Sequence, residues 1–310
     1  MRLYFSLFIL VSLSLPIFAA QYYVDDTYNA EEIARGGVEG FSSSSQALWG
    51  NPANLKTIKN GSLAFYQSSF FDQDVKYNNL SIGFNLLHTK IGLGVFRAES
   101  ADIPQNILDS NSEAKTVSVY DIQSAIYRVA IQKELTEWMS IGTTISKYTY
   151  RGFELTGDGL NMDFGALFTF KLNKLLDSIS ISSTLKNILK SDVSYSNGTS
   201  ELLPSSLVLG GKAQVWDEFS LYFQKTILDS GTQLSGIGAV YKPYILYGQP
   251  ISISVGHSDY QDFLSDKTTR SVFSLGVGLH VLNIDFYFAY QNDPSSYSEQ
   301  QYFYTTNLNF

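Results

Sequence analysis

The chain has 310 residues, with 29 acidic against 21 basic side chains, so its formal net charge at pH 7 is −8. This balance argues against nucleic acid or anionic lipid as a partner, and the absence of cysteine excludes disulfides and thiolate chemistry. Only 16% of the residues are charged and 15% are aromatic, whereas soluble domains average about 25% charged residues. Few charges and many aromatics are typical of a membrane β-barrel, whose outer face is apolar and whose lumen is polar.

Residues 1–20 have the pattern of a secretory signal peptide. Arg2 supplies the positive charge, an apolar run follows, and Ala19 and Ala20 offer small residues for cleavage. The alternative is an uncleaved membrane anchor, which would need a longer apolar run and a basic flank on its far side. We therefore expect an exported chain that is cleaved after Ala19 or Ala20.

Residues 21–61 differ from both the signal peptide and the strands that follow. The stretch NAEEIARGG (29–37) has an Asn cap, early acidic residues and a Gly stop, which predict a short helix. In SSSSQALWGNPANL (42–55), Asn51 precedes Pro52 and is biased away from helix, so a turn and a fresh helical start are expected. A free periplasmic tether is the alternative, but it would leave Trp49 and Leu55 exposed.

Period-two alternation predicts β-strands over residues 62–310. In ISISVGH (251–257), for example, apolar residues alternate with Ser and Gly. The predicted strands are fourteen and lie at 62–71, 78–87, 90–98, 122–133, 139–151, 161–171, 178–187, 206–215, 218–226, 234–243, 250–257, 271–281, 283–290 and 301–310.

The connections between these strands alternate in length. The odd-numbered ones are mostly long and polar, such as 99–121 and 189–204, and the even-numbered ones are mostly short. Outer-membrane barrels have short periplasmic turns and longer external loops, whereas a soluble β-sandwich has no reason for this alternation. The prediction is an all-β, 14-stranded antiparallel transmembrane β-barrel over 62–310, with a short helical N-terminal plug, 21–61, in the lumen.

Aromatic residues mark the chain end and two short turns. Phe310 shares one face of the last predicted strand with Leu308 and Tyr304, and closure against the first strand would protect this apolar edge. Trp138 and Trp216 lie in or beside short connections, where a periplasmic aromatic girdle is expected. Local turn packing is the alternative for both.

The sequence contains no credible catalytic constellation, and we expect neither an enzyme nor a metal or cofactor site. His88, His257 and His280 lack metal-ligand spacing. The stretch TGDGLNMD (156–163) could bind calcium weakly, but Gly-Asp-Gly is first a turn.

Four polar residues of the predicted strands are expected to face the lumen, because alternation places them opposite apolar neighbours and charge on the lipid face is costly. They are Asp163, Lys212, His280 and Asp285. Two explanations stay open for the charged ones: structural ion pairs with one another or with the plug, or a polar path through the barrel.

The N-terminal segment also resembles a known family. ARGGVEGFSSSSQALWGNPANL (34–55) resembles the segment shared by the FadL-like long-chain fatty acid transporter superfamily and its PorV/PorQ branch. The corresponding residues are Gly36, Gly37, Gly40, Ala47, Asn51, Pro52 and Ala53. The resemblance continues in MSIGTTISKYTYRG (139–152), NMDFGALFTF (161–170), LLPSSLVLGG (202–211) and FSLGVGLHVLNIDFYFAY (273–290).

The resemblance implies a barrel in the outer membrane of a Gram-negative-type bacterium, among outer-membrane lipids. It implies a plug motif formed by Trp49, Asn51, Pro52, Ala53 and Leu55. The implied function is binding or transport of a hydrophobic small molecule such as a fatty acid. The alternative is a barrel that docks exported cargo of a type 9-like secretion system. Phe310 would be the signal for the barrel-assembly machinery.

Overall fold

The computed structural model describes residues 29–310 except 71–74, 109–113, 173–175, 217, 244–250, 263–264 and 293–299. The predicted signal peptide with its cleavage site at Ala19 or Ala20, and the first part of the predicted plug, 21–28, lie outside these residues. Within the described residues, no helix is both long enough and apolar enough to cross a membrane.

The described residues form sixteen strands, and fourteen of them close into an antiparallel barrel, which confirms the predicted fold class. The remaining two, β8 and β9, form a hairpin on the edge of β6. The strands are β1 (Gly61–Phe70), β2 (Val75–Leu86), β3 (Thr89–Leu108), β4 (Ala114–Thr136), β5 (Met139–Gly152), β6 (Leu155–Lys171), β7 (Ser178–Lys186), β8 (Asp192–Tyr195), β9 (Ser200–Leu202), β10 (Ser206–Val215), β11 (Phe219–Leu228), β12 (Gln233–Tyr241), β13 (Ile251–Asp262), β14 (Ser265–Val281), β15 (Ile284–Asn292) and β16 (Gln300–Asn309).

Pairing of β1 with β16 closes the ring, as the sequence predicted. Gly61 and Phe310 exchange two backbone hydrogen bonds, of 2.7 and 2.9 Å. This pairing leaves no free edge, which is the usual protection of a sheet against aggregation. We call the end of the barrel that carries Gly61 and Asn309 the lower end, and the end that carries the β8–β9 hairpin the upper end.

Several predicted loops are strands in the structure. β3 continues to Leu108 and β4 begins at Ala114, so the expected loop 99–121 is mostly a two-stranded extension of the wall. The expected loop 152–160 shrinks to a turn at Phe153–Glu154, whose φ angles are 49° and 62°. The prediction was wrong here because apolar alternation marks only the apolar band of the wall, whereas the hydrogen-bonded ladder continues into polar sequence.

The two faces of the wall differ as alternation requires. On β13, Ile253 is 47% exposed on the outside, while Ser252 and Ser254 are buried on the inside. At the lower end, Trp138 is exposed on the outside and stacks on Phe168 and Phe170, and Trp216 is also exposed. The small inward side chains leave room in the lumen for another part of the chain.

Candidate functional site

The segment that precedes β1 lies inside the barrel. It contains one α-helix, α1 (Ala30–Ala34), and two 3-10 helices, Ser45–Leu48 and Pro52–Thr57. α1 contacts β13 to β16, the first 3-10 helix contacts β1 to β4, and the second contacts β3 to β6. Because these strands lie on several sides of the closed ring, the segment occupies the lumen. We call residues 29–60 the plug.

Each of the three helices begins at a polar cap. The side chains of Asn29, Ser44 and Asn51 accept a hydrogen bond from the backbone N–H two residues later, at 2.8, 3.2 and 2.9 Å. Such caps satisfy backbone donors that the first helical turn leaves free. Gly36 and Gly37 follow α1, with φ of 77° and 64°, a region that glycine adopts without steric cost. The helix predicted for 29–37 and the turn at Asn51 are confirmed.

The Asn51-Pro52 turn is fixed to the wall at β5, β6 and β7. The Asn51 amide donates to the β6 backbone at 3.0 Å and to the Ser182 hydroxyl at 2.8 Å. A Cβ on Gly165 would collide with the Asn51 side-chain oxygen, and one on Gly142 would lie 2.6 Å from the Pro52 carbonyl carbon. The two glycines therefore admit the turn, and the neighbouring Ala53 is fully buried.

A second glycine site holds the other end of the plug. The backbone of Arg35 and Gly36 lies against Gly236, Gly238 and Gly256, and a Cβ on any of these three glycines would overlap it. Gly238 and Gly256 are register partners on β12 and β13. Sequence reasoning missed this site, although glycines at alternate positions of neighbouring strands are a readable signal of close backbone approach.

Aromatic residues of the plug and the wall form a buried cluster. Trp49 and Leu55 are buried, with exposures of 1% and 0%. The Trp49 ring meets Phe96 edge-on at a centroid distance of 6.3 Å, and Phe96 lies 5.7 Å from Tyr77. Other members of this cluster are Leu48, Tyr66, Ile126 and Tyr148. We call the whole set the Trp49 cluster.

Arg128 of β4 joins the Trp49 cluster to the wall. Its guanidinium donates to the backbone carbonyl of Trp49 at 2.9 Å and lies 5.1 Å from the Trp49 ring centroid. The same group lies 3.6 Å from the carboxylate of Asp163, and both side chains are buried. Asp163 also accepts the backbone N–H of Asn187 at 2.8 Å. Breaking such a pair by removing one partner leaves a buried charge and is strongly destabilising.

The β8–β9 hairpin covers the Trp49 cluster from the upper end. Val193 of β8 and Leu203, which directly follows β9, are 4% and 1% exposed and belong to the buried cluster. The Tyr195 hydroxyl donates to Glu201 at 2.9 Å within the hairpin, and its ring meets Tyr150 edge-on at 5.5 Å. The cluster thus lies between the plug below and the hairpin above.

The structure places the four residues that were predicted to face the lumen at three separate points of the inner wall. Asp163 pairs with Arg128, which sequence reasoning missed. Lys212 lies on the inner face with its ammonium 5.6 Å from the Tyr222 ring centroid. His280 and Asp285 form a pair of 2.8 Å. Of the four, Asp163 is the one that Arg128 links to Trp49.

The plug carries a buried carboxyl group of its own. Glu32 is 1% exposed, accepts a 2.5 Å hydrogen bond from the Ser42 hydroxyl, and lies 3.6 Å from the guanidinium of Arg35. Burial raises the pKa of Glu32 to about 7, although the nearby Arg35 favours the ionised form. Glu32 therefore titrates near neutral pH inside the plug.

A cavity of about 50 Å³ lies between the plug and the wall from β7 to β13. Glu39 of the plug pairs with Lys186 at 2.5 Å on its border, and the Glu39 N–H donates to Gln224 at 2.7 Å. The cavity has room for no more than a few water molecules, so the plug fills this side of the lumen. Among the described residues, no group of three or more His, Cys, Asp or Glu side chains is placed to hold a metal ion.

These features define a closed 14-stranded barrel with a helical segment in its lumen. Several solved structures share the fold. The Pseudomonas putida toluene transporter TodX matches 93% of this chain and 99% of its own, with a TM-score of 0.60 at 12% identity. The Ralstonia pickettii toluene transporter TbuX matches 91% and 98%, with a TM-score of 0.59 at 11% identity.

A Pseudomonas aeruginosa FadL homologue matches 93% of this chain and 99% of its own, with a TM-score of 0.53 at 10% identity. At these identities the likeness is one of fold. No protein-family model matches the sequence, and a search of curated proteins finds no match.

Proposed function

We propose that the chain is an outer-membrane channel that binds hydrophobic small molecules at the Trp49 cluster and releases them past a displaceable plug. The observation that carries this proposal is the position of Trp49, Phe96 and Tyr77, buried between the plug and the β8–β9 hairpin. Aromatic rings offer a large apolar surface to such a ligand. The fold shared with TodX and TbuX, which are toluene transporters, supports the same function.

The barrel would lie in the outer membrane of a Gram-negative-type bacterium. The apolar outer face and the predicted signal peptide support this placement. The lower end, with both ends of the barrel-forming chain, would then face the periplasm, and Phe310 would be available to the barrel-assembly machinery. Outer-membrane lipids would be direct partners of the wall.

The hydrophobic ligand would enter by replacing contacts inside the Trp49 cluster. Val193 and Leu203 of the hairpin cover the cluster, so the hairpin must lift for a ligand to enter from the upper end. The plug then blocks ions and other polar solutes, because its helices are packed against the wall on several sides. Passage requires that the Asn51 turn or the α1 end leaves its glycine site.

Uptake measurements test this function. Cells that make the protein should take up radiolabelled toluene or long-chain fatty acid faster than a null strain. The change Trp49→Ala should reduce that uptake severalfold, because it removes the largest apolar surface of the cluster. Trp216→Ala is the matched control, since Trp216 is 58% exposed on the outside of the lower end. Equal uptake by the producing strain and the null strain would contradict the transport function.

The PorV/PorQ resemblance and its cargo-docking role remain predictions from the sequence. A docking barrel would retain exported proteins that share a C-terminal signal in a pull-down from the producing cells. Such retention, together with unchanged uptake of both hydrophobic compounds, would favour docking over transport.

A further inference from the structure

A groove of about 410 Å³ lies on the outside of the wall, on β3 to β6 in the upper half of the barrel. Its floor is Ala125, which is only 5% exposed although it alternates with the outward residues Tyr127 and Val129. The register partners of Ala125 are Arg97 on β3 and Thr149 on β5. The small side chain between longer ones therefore produces the groove.

Two arginines, Arg97 and Arg151, line the groove, and a third basic residue, Lys147, lies beside its lower border as the register partner of Tyr127. All three are exposed on the outer face, and none forms an ion pair with another described residue within 4 Å. Arg97 and Thr149 are separated by one strand, hence by roughly 10 Å across the sheet. Arg151 is the next outward position above Thr149, so the two guanidinium groups can reach a common ligand in the groove.

The acidic residues near the groove lie outside its lining. Glu99 accepts the side-chain amide of Gln123 at 2.9 Å and has Lys76 as its register partner on β2. Asp158 is the register partner of Thr149 on β6. The described residues that line the groove thus include two arginines and no carboxylate, although the whole chain has a net charge of −8, a balance that argues against anionic lipid as a general partner.

The height of the groove on the wall matters as well. Leu93, Val129 and Ile145, on β3, β4 and β5, are 40%, 48% and 50% exposed on the outside, directly below the groove. On β3 and β5, the basic residues follow where this apolar band ends. In an outer-membrane barrel this is the level at which lipid head groups meet the protein. A lipid site at this level depends on the outer-membrane placement proposed above and is independent of transport.

We propose that this groove binds the phosphate-bearing head group of a lipid in the outer leaflet. Guanidinium groups donate paired, charge-assisted hydrogen bonds to phosphate oxygens. Their alkyl stems can cover the acyl chains below. Tyr127, half-exposed at the lower border, adds an amphipathic ring suited to the same interface. The ligand class is therefore an anionic phospholipid or saccharolipid, held at a defined place on the wall.

Other outward cations of the wall offer a comparison. Lys225 lies on β11, between Leu209 and Ser235 in the register, and has no basic neighbour on the adjacent strands. A single lysine of this kind only extends its charge toward the aqueous interface. The groove differs because two arginines line one concave site.

Lipid binding to the purified full-length protein in neutral detergent, followed by native mass spectrometry, tests the proposal. The probes are a diphosphorylated saccharolipid of the lipid A type, the same lipid with its phosphates removed, and inorganic phosphate as a competitor. The double variant R97Q/R151Q should bind the diphosphorylated lipid roughly tenfold more weakly, or worse, because each arginine loses charge-assisted hydrogen bonds. K225Q removes one positive charge elsewhere and should bind like the unchanged protein.

The comparison of the two lipids needs no variant and stands even if R97Q/R151Q does not fold. Equal binding of the phosphorylated and dephosphorylated lipids would overturn the proposal. So would competition by inorganic phosphate at the same molar concentration as the lipid, since a free anion would then be the ligand. Lipid binding is measured on the purified protein and uptake of hydrophobic compounds is measured on cells. Failure of the lipid site and failure of the channel function are therefore distinguishable.

Discussion

The contact between Gly165 and Asn51 shows how one residue, the glycine, decides whether the plug fits in the lumen. The Asn51 side chain caps a 3-10 helix and donates to β6 and β7, and Gly165 lies directly against its oxygen. Adding a single methyl group at Gly165 must push the turn away from the wall, because the opposing atoms belong to a side chain that is held by hydrogen bonds on both sides.

The change Gly165→Ala should therefore destabilise the protein by about 1–3 kcal/mol. The denaturant midpoint, followed by tryptophan fluorescence, measures this loss. Gly211→Ala is the control on another strand, since a Cβ at Gly211 meets no atom within 4 Å. The free energy of unfolding of Gly211→Ala should stay within about 1 kcal/mol of that of the unchanged protein. Equal midpoints for the two variants would show that the Asn51 turn is not seated as described.

Glu32 should give the stability of the protein a pH dependence. Its pKa is raised from 4.5 to about 7 by burial, so the folded chain binds this proton more tightly than the unfolded chain. The contribution of Glu32 to the free energy of unfolding is fully present below pH 4.5. It is lost as the pH rises to about 7, and the loss amounts to about 3 kcal/mol. The denaturant midpoint measured between pH 4 and pH 8 should fall, and Glu32→Gln should remove most of that fall. If the midpoint of Glu32→Gln falls by the same amount, groups other than Glu32 cause the pH dependence.

Sequence reasoning at the residue scale succeeded where the pattern was local. The caps at Asn29 and Asn51 could be read from residue type, and the burial of Trp49 and Leu55 followed from the cost of exposing them. Arg128 and Glu32 were missed because a period-two or helical pattern shows which face a side chain takes, but not its partner. Arg128 reaches the plug across roughly 80 residues of sequence, and only the closed ring brings the two together.

The β8–β9 hairpin is the element that separates the Trp49 cluster from solvent at the upper end. Leu203 is 1% exposed and its neighbour Leu202 is 57% exposed. Replacing Leu203 by Ser should loosen the hairpin, because it places a hydroxyl in an apolar cluster and removes packing. Limited proteolysis within residues 187–205 should become severalfold faster in Leu203→Ser and remain unchanged in Leu202→Ser. Equal cleavage of both variants would show that the hairpin does not hold the cluster.

This hairpin and the long extensions of β3 and β4 were not predictable as elements. Their sequences are polar and lack the apolar alternation that identified the wall, so they read as loops at 99–121 and 189–204. The ladder can continue there because each extension pairs with its neighbour, which satisfies the backbone without any apolar face. Hydrophobic pattern therefore located the apolar band, while backbone pairing set the true length of the strands.

At the scale of the whole molecule, the number of barrel strands was predicted from alternation, and the closure of β1 on β16 from the apolar edge of the last strand. The plug could be predicted as a folded segment, because its apolar residues had no place in a tether. Its seat on Gly236, Gly238 and Gly256 could not be predicted, since it depends on which strands the ring places beneath Arg35 and Gly36.

The central claim is that residues 29–60 close the lumen. Single-channel conductance in planar bilayers tests it most directly, by comparing the full chain with a variant that lacks residues 21–60. Heat-modifiable gel mobility verifies that both barrels are folded. The full chain should show little or no ion conductance, and the deletion variant should open a larger, stable conductance step, because small inward side chains would then line an empty lumen. A folded deletion variant whose conductance equals that of the full chain would contradict the plug.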